Sequence, residues 1–219
     1  MYQCDFCDLP LTGKYFLPDN MQDIPVEKLC QTIIYNGEFF YVKPDISPVV
    51  ENHLLIIPKE HIFCINDVPP CYIEELQNIK KRIIQYYDSI NMNYLFFEHG
   101  CCSEKEPGSS CIHHAHLHSI PLSIDNEKAI IQELVTVIGL PNTIPQEIKG
   151  TTYLYCESST IGKQLYWTDD IQRSQLFRII IANITGHMRR ARWQNCLINE
   201  AERKLSEKWL QKFKNFSLA

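Results

Sequence analysis

The hydrophobic and polar positions of the first half of the chain predict short strands around one long helix. Residues 33–41 read "IIYNGEFFY", with Asn36 and Gly37 at the centre, the dipeptide favoured in a tight hairpin turn. Pro44 and Pro48 then mark a loop. The apolar run 53–57, closed by Pro58, predicts a buried strand. From 73 to 89, Ile73, Leu76, Ile79 or Ile83, and Tyr87 recur at helical spacing, and Lys80, Lys81 and Arg82 are expected mostly on the outer side. Residues 94–97 form a short apolar strand. The stretch "GCCSEKEPGSS" has loop composition, and the histidine-rich run after it is expected to be a strand ended by Pro121.

Beyond that point, 127–138, 171–188 and 197–213 carry helical periodicity, and 153–156 is a short strand. The order hairpin, strand, helix, strand, loop, strand predicts an α+β fold, an antiparallel sheet with packed helices. A mostly helical C-terminal extension follows it. The division is drawn between 1–124 and 125–219, with no internal repeat and no low-complexity linker.

Composition narrows the function classes. The chain has 219 residues, 45% apolar and 21% charged, with a net charge of −5. An acidic balance argues against nucleic acid as a general partner, because counterion release needs a basic face. The opening "MYQCDFCDLP" lacks the basic and apolar regions of a signal peptide, and no run reaches about 18 apolar residues, so no membrane span is expected. Ten cysteines without a signal peptide read as thiols or metal ligands in a reducing cytoplasm.

The chemistry concentrates in "CIHHAHLHSIP". Four of the eight histidines lie between His113 and His118. On a strand, His114, His116 and His118 share one face and Ala115, Leu117 and Ser119 the other. Imidazoles packed together repel when charged. A solvated edge strand or a metal site built from these three alone are the alternatives to a catalytic face.

"HAHLHSI" resembles the His-φ-His-φ-His-φ-φ signature of the histidine triad superfamily of nucleotide hydrolases and transferases. "DISPVVENHLLIIPKEHI" is similar to that superfamily's strand region, and "CDFC" to the cysteine pair of its zinc-bearing members. The resemblance implies that His116 is the nucleophile, forming a phosphoramidate-like intermediate that water cleaves. It implies that His118 donates to the phosphoryl oxygens, that His53 orients the nucleophile and that Asp45 accepts from the ribose hydroxyls. It further implies a structural zinc on Cys4, Cys7, His61 and His114, completing a Cys₂His₂ set, and a two-fold homodimer. Tyr86, Tyr87 and Tyr94 at the end of the long helix are the sequence's own reason to expect a partner there.

The chain departs from the pattern before the triad, where Cys111 stands at the position of a serine that assists the leaving group. A thiol is a weak donor, and Ser109 and Ser110 are candidates to compensate. Glu98, in "EHG", is a candidate for phosphate-proximal contacts through water or a metal. In the extension, Gln175 and Arg178 are candidates to reach a substrate, and Arg189, Arg190 and Arg192 beside Trp193 form a basic cluster suited to a polyphosphate or a nucleic acid. The expected function is a nucleotidyl hydrolase acting at an α-phosphate of a nucleotide conjugate or dinucleoside polyphosphate. Its rivals are a nucleotidyltransferase or phosphorylase and a non-catalytic nucleotide-binding module. Retention of His118, where the sugar-phosphate transferring branch usually has glutamine, favours hydrolysis.

Overall fold

The computed structural model describes residues 32–100, 114–141, 152–162, 164–167 and 175–218, together with positions 4, 6, 7, 21, 23–25 and 29. The elements are β1 (Tyr35–Asn36), β2 (Phe40–Pro44), β3 (Leu54–Pro58), α1 (Ile73–Ser89), β4 (Asn93–Gly100), β5 (Leu117–Leu122), α2 (Ile124–Ile138), β6 (Tyr153–Ser158), β7 (Gln164–Trp167), α3 (Leu176–Ile184), α4 (Trp193–Ile198) and α5 (Glu200–Gln211). The strands form one seven-stranded sheet in the order β1-β2-β3-β5-β4-β6-β7, antiparallel throughout.

The expected hairpin forms, with Tyr35 opposite Val42 and the Gly37 N–H donating to the Phe40 carbonyl at 2.9 Å. Its tip is fixed by Glu75 of α1, whose carboxylate accepts from the Phe39 and Phe40 N–H groups at 2.9 and 3.2 Å. A Cβ at Gly37 would run into that carboxylate and the Tyr35 ring, so a side chain there would have to displace both.

The long helix spans the predicted residues, with Glu74 and Glu75 in its first turn, where the helix dipole favours acids. Leu76, Ile79, Ile83 and Tyr87 are buried on one stripe, but so is Lys80, contrary to its expected outward position. Its ammonium lies 3.4 Å from the Tyr155 hydroxyl and is paired with Glu157 of β6. β5 runs one residue past Pro121. The proline is tolerated because β3 pairs only as far as Ser119, so no partner on that side needs its missing N–H. Ser123 then caps α2, its hydroxyl accepting from the Asn126 N–H at 3.3 Å.

Residues beyond 124 do not form a separate layer. β6 pairs with β4 along six positions, and β7 extends the same sheet. The face carrying Leu117, Phe96 and α1 also buries Leu197, Leu210, Phe213 and Leu218. The opposite face, with Phe97 and Ile120, is covered by Ile130 and Leu134 of α2 and by Phe177, Ile180 and Ile181 of α3. Two of the three tyrosines expected to meet a partner chain are covered within this one: Tyr86 packs on Phe216 at 4.9 Å between ring centroids, and Tyr87 is fully buried.

Candidate functional site

The N-terminal cysteine pair folds back onto the start of the histidine run. Cys4 Sγ lies 3.3 Å from His114 Nδ1, and Cys7 Sγ lies 3.4 Å from both His61 Nδ1 and His114 Nδ1. All four donor atoms fall within 4.8 Å of one another. Bonds of about 2.3 Å to sulfur and about 2.0 Å to nitrogen give tetrahedral edges of roughly 3.5 Å, so the set fits one tetrahedral ion. The His114 Nε2–H donates to the Pro58 carbonyl at 2.8 Å, which leaves Nδ1 with its lone pair toward the cysteines. Burial lowers the His114 pKa to about 4, keeping the ring neutral as a ligand must be. Phe6, between the two cysteines, is buried with its ring against His114 and His116 at 5.8 and 5.3 Å, and its carbonyl accepts from the Tyr41 hydroxyl at 2.8 Å.

Strand pairing begins only at Leu117, so His114 and His116 precede β5 rather than lining it. The Ala115 N–H donates to the Ile62 carbonyl at 2.6 Å, pinning this stretch beside His61. His116 donates through Nδ1 to the His114 carbonyl at 2.7 Å. Its Nε2 therefore carries the lone pair, and burial lowers its pKa, so the ring is an unprotonated base.

His118 sits 4.9 Å from His116 between ring centroids and stacks on Phe97 at 4.6 Å with an interplanar angle of 4°. Phe177 of α3 lies behind Phe97 at 4.9 Å. His118 Nδ1 is 2.8 Å from His53 Nε2, whose ring is buried at the mouth of β3. Burial brings the His53 pKa down to about 3, and the nearby Asp45 offsets this only in part. The loop carrying Asp45 is closed by the Asp45 N–H donating to the His53 carbonyl at 3.0 Å, and Asn52 makes the turn at φ 63°, a left-handed conformation that asparagine tolerates.

Asp45 does not present a free carboxylate to a ribose. It is 7% exposed, and both oxygens are engaged. Oδ1 accepts from the Ser47 N–H at 2.9 Å; Oδ2 lies 3.2 Å from Arg178 Nη1 and 3.3 Å from His53 Nδ1. Burial alone would raise its pKa, but His53, Arg178 and the Ser47 N–H together hold it below the usual value. Arg178 likewise serves the protein rather than an open site, its Nη2 donating to the Ser47 and Arg190 carbonyls at 2.7 and 3.1 Å. Gln175 turns inward, its side-chain oxygen accepting from the Trp193 N–H at 3.0 Å.

Glu98 belongs to the other face of the sheet. Phe97 is paired with His118, and alternation along β4 sends Glu98 toward α1. There its carboxyl accepts from the Ile65 N–H at 2.8 Å and from the Tyr153 hydroxyl, and burial raises its pKa to about 7. Of the basic cluster, Arg189 and Arg192 are exposed, but Arg190 is buried and donates to the Pro48 carbonyl at 2.6 Å and to Glu202 and Ser206 of α5. Ser109, Ser110 and Cys111 lie outside the described residues. The arrangement thus joins a tetrahedral Cys/His cluster, an unprotonated imidazole at His116 and a chain that runs from half-buried His118 to buried His53, Asp45 and Arg178. The aromatic partners Phe6, Phe97 and Phe177 and the structural use of Arg178 were not read from the sequence.

Comparison with known proteins supplies the family. The model described as "Protein similar to CwfJ C-terminal" matches residues 25–134, half of the chain. A zinc finger CCCH domain-containing protein 64 of Arabidopsis thaliana is 24% identical over 204 residues, 84% of this chain and 33% of that protein. The adenosine 5'-monophosphoramidase of Saccharomyces cerevisiae is 31% identical over 99 residues, 45% of this chain and 56% of the enzyme. The chain thus spans a third of the length of the first and just over half of the second. A hypothetical histidine triad nucleotide-binding protein of Sulfolobus tokodaii superposes with a TM-score of 0.40 at 22% identity, covering 55% of this chain and 70% of that one. This chain belongs to the family of proteins similar to the CwfJ C-terminal and, with it, to the histidine triad superfamily.

Proposed function

We propose that the chain is a nucleotidyl hydrolase that acts at the α-phosphate of a nucleotide conjugate through His116. The observation that carries this reading is the hydrogen bond from His116 Nδ1 to the His114 carbonyl, 2.7 Å, which aims an unprotonated Nε2 away from the backbone. In the proposed reaction Nε2 attacks phosphorus, a P–N bond forms and the bond to the leaving group breaks, the leaving group taking up a proton as it departs. Water then attacks phosphorus, the P–N bond breaks, and His116 returns to its neutral form while the nucleoside monophosphate leaves. His118 is positioned to donate to a non-bridging oxygen as charge gathers there.

Zinc is the ion proposed for Cys4, Cys7, His61 and His114, and its contribution is to tether the N-terminal segment to the stretch that carries His116. The yeast relative is an adenosine 5'-monophosphoramidase, which supports the reaction class. The two-fold dimer implied by the resemblance and a cytoplasmic setting remain part of the proposal, the former to be tested by light scattering. The reading is tested with adenylylated and guanylylated amines and dinucleoside polyphosphates. His116→Asn should lower turnover by more than about 10³-fold while leaving nucleotide binding in place. Unchanged turnover in that variant would end the covalent route.

A further inference from the structure

The chain of contacts behind His118 has two internally consistent proton arrangements, and the groups around Asp45 choose between them. His53 Nδ1 is approached from two sides. The Val49 N–H donates to it at 3.2 Å, and Asp45 Oδ2 lies 3.3 Å away. If Nδ1 accepts from Val49, the proton of His53 is on Nε2 and is donated to His118 Nδ1 across 2.8 Å. His118 then carries its own proton on Nε2, on the side away from His53. If Nδ1 instead donates to Asp45, His53 Nε2 accepts from His118 Nδ1–H, and His118 Nε2 is bare. The first arrangement makes His118 a donor to a phosphoryl oxygen, and the second makes it an acceptor that would repel one.

Asp45 alone would draw the proton to His53 Nδ1, since a buried carboxylate seeks every donor within reach. Arg178 removes that demand. Its Nη1 lies 3.2 Å from the same Oδ2, and its Nη2 is fixed by the Ser47 and Arg190 carbonyls at 2.7 and 3.1 Å, so the guanidinium cannot swing away. The Ser47 N–H occupies the other oxygen, Oδ1, at 2.9 Å. Resting on the hydrolase reading above, we propose that Arg178, carried by the C-terminal helix α3, is a positioning residue: by satisfying Asp45 it holds His53 and His118 in the tautomers in which His118 presents Nε2–H beside His116. Asp45, His53 and His118 are close enough to suggest a metal triad. The 2.8 Å contact between His53 Nε2 and His118 Nδ1 is a hydrogen bond, however, and Arg178 already supplies the cation, so the cluster is read as a proton-ordering chain.

The test reads tautomers directly, by long-range ¹H–¹⁵N correlation of ¹⁵N-histidine in the zinc-loaded full chain. The unaltered chain should show Nε2–H on both His53 and His118. Arg178→Gln should move both protons to Nδ1. Arg178→Gln combined with Asp45→Asn should return both to Nε2, a rescue that a merely structural role for Arg178 would not give. Nδ1–H on His118 in the unaltered chain overturns the proposal, and so does Nε2–H retained in a folded Arg178→Gln chain. If the single variant does not fold, Asp45→Asn decides: Nε2–H on both rings supports the assignment and a switch to Nδ1–H overturns it. In the hydrolysis assay, Arg178→Gln should lower kcat by about 10²-fold with KM nearly unchanged, the size expected for a lost proton donor. Absence of turnover in the unaltered chain would remove the hydrolase reading and leave the tautomer result standing on its own.

Discussion

Replacing Arg190 tests whether the C-terminal helices and the histidine-bearing sheet are one folding unit. Its guanidinium is 1% exposed and makes four hydrogen bonds: Nε to the Pro48 carbonyl at 2.6 Å, Nη1 to the Glu202 carbonyl and carboxylate at 3.0 and 2.8 Å, and Nη2 to the Ser206 hydroxyl at 2.5 Å. It also lies 4.7 Å from the centre of the Trp209 ring. Arg190→Ala strands the Pro48 carbonyl and leaves Glu202, whose side chain is 13% exposed, without its cation. Each abandoned buried acceptor costs about 1–3 kcal/mol, and removing one member of a buried ion pair costs about 3–5 kcal/mol in total. For a slope near 3 kcal/mol per molar, the upper part of the range for small proteins in urea, that is a fall of roughly 1–2 M in the midpoint. Trp193 and Trp209 lie on the C-terminal helices and Trp167 on β7 of the sheet, so in a Trp167→Phe background the fluorescence reports the tail, while far-UV circular dichroism is dominated by the whole fold. Both probes should fall together. A midpoint shift below about 0.3 M, or a tail transition that separates from an unchanged sheet transition, would refute the reasoning. Arg190→Lys should be intermediate, because it keeps the charge and loses the fork.

Protein purified without chelator should carry close to one zinc per chain, and Cys4→Ser combined with Cys7→Ser should lose it; zinc retained in that variant would remove the site. Ser123→Ala should cost about 1 kcal/mol in urea unfolding through loss of the α2 cap, and no measurable cost would mean that the Asn126 N–H finds water as good a partner. Glu98→Gln should remove a term in which stability falls as pH rises from about 4.5 to about 7, because the folded chain holds that proton above the usual carboxyl range; an unchanged pH profile would show that Glu98 is ionised in the native state.

What the sequence made legible was what period and punctuation encode. The helix from Ile73 was legible because its apolar stripe repeats at helical spacing. Only the two-residue cysteine gap of the Cys4, Cys7, His61 and His114 set is a local signal; the two histidines that join it were implied by the resemblance to the histidine triad pattern, and the structure brings the four donor atoms together. Glu98 falls on the far face because Phe97 pairs with His118, a register between distant strands that alternation within either strand does not reveal. Asp45 and Arg178 are a different case. They are 133 positions apart, and no local pattern announces that a helix from the tail will claim that carboxylate. The strand β7 was also missed, because four residues offer too little alternation to distinguish strand from loop.

The crowding of imidazoles, which looked costly in the sequence, is resolved by desolvation that keeps the rings neutral, and this has a consequence for acid stability. His53, His116 and His118 all have pKa values lowered first by burial, His53 to about 3 and His118 well below the ordinary value. Neutral rings pack beside one another without repulsion, and the nucleophile is kept as a free base. The unfolded chain, by contrast, binds protons at these rings near pH 6.5. A group with a depressed folded pKa contributes stability that is present above its unfolded value and is lost as pH falls toward its folded one. Stability should therefore decline from about pH 6.5 downward. Glu98 acts in the opposite sense over part of this window, but it is one group against several histidines, so the net slope should still be positive. Thermal melts between pH 4 and 7 should show the midpoint rising with pH, more steeply in Glu98→Gln. A profile that is flat or falls across this range would mean that the histidine cluster is protonated in the folded protein, and the free-base nucleophile would go with it.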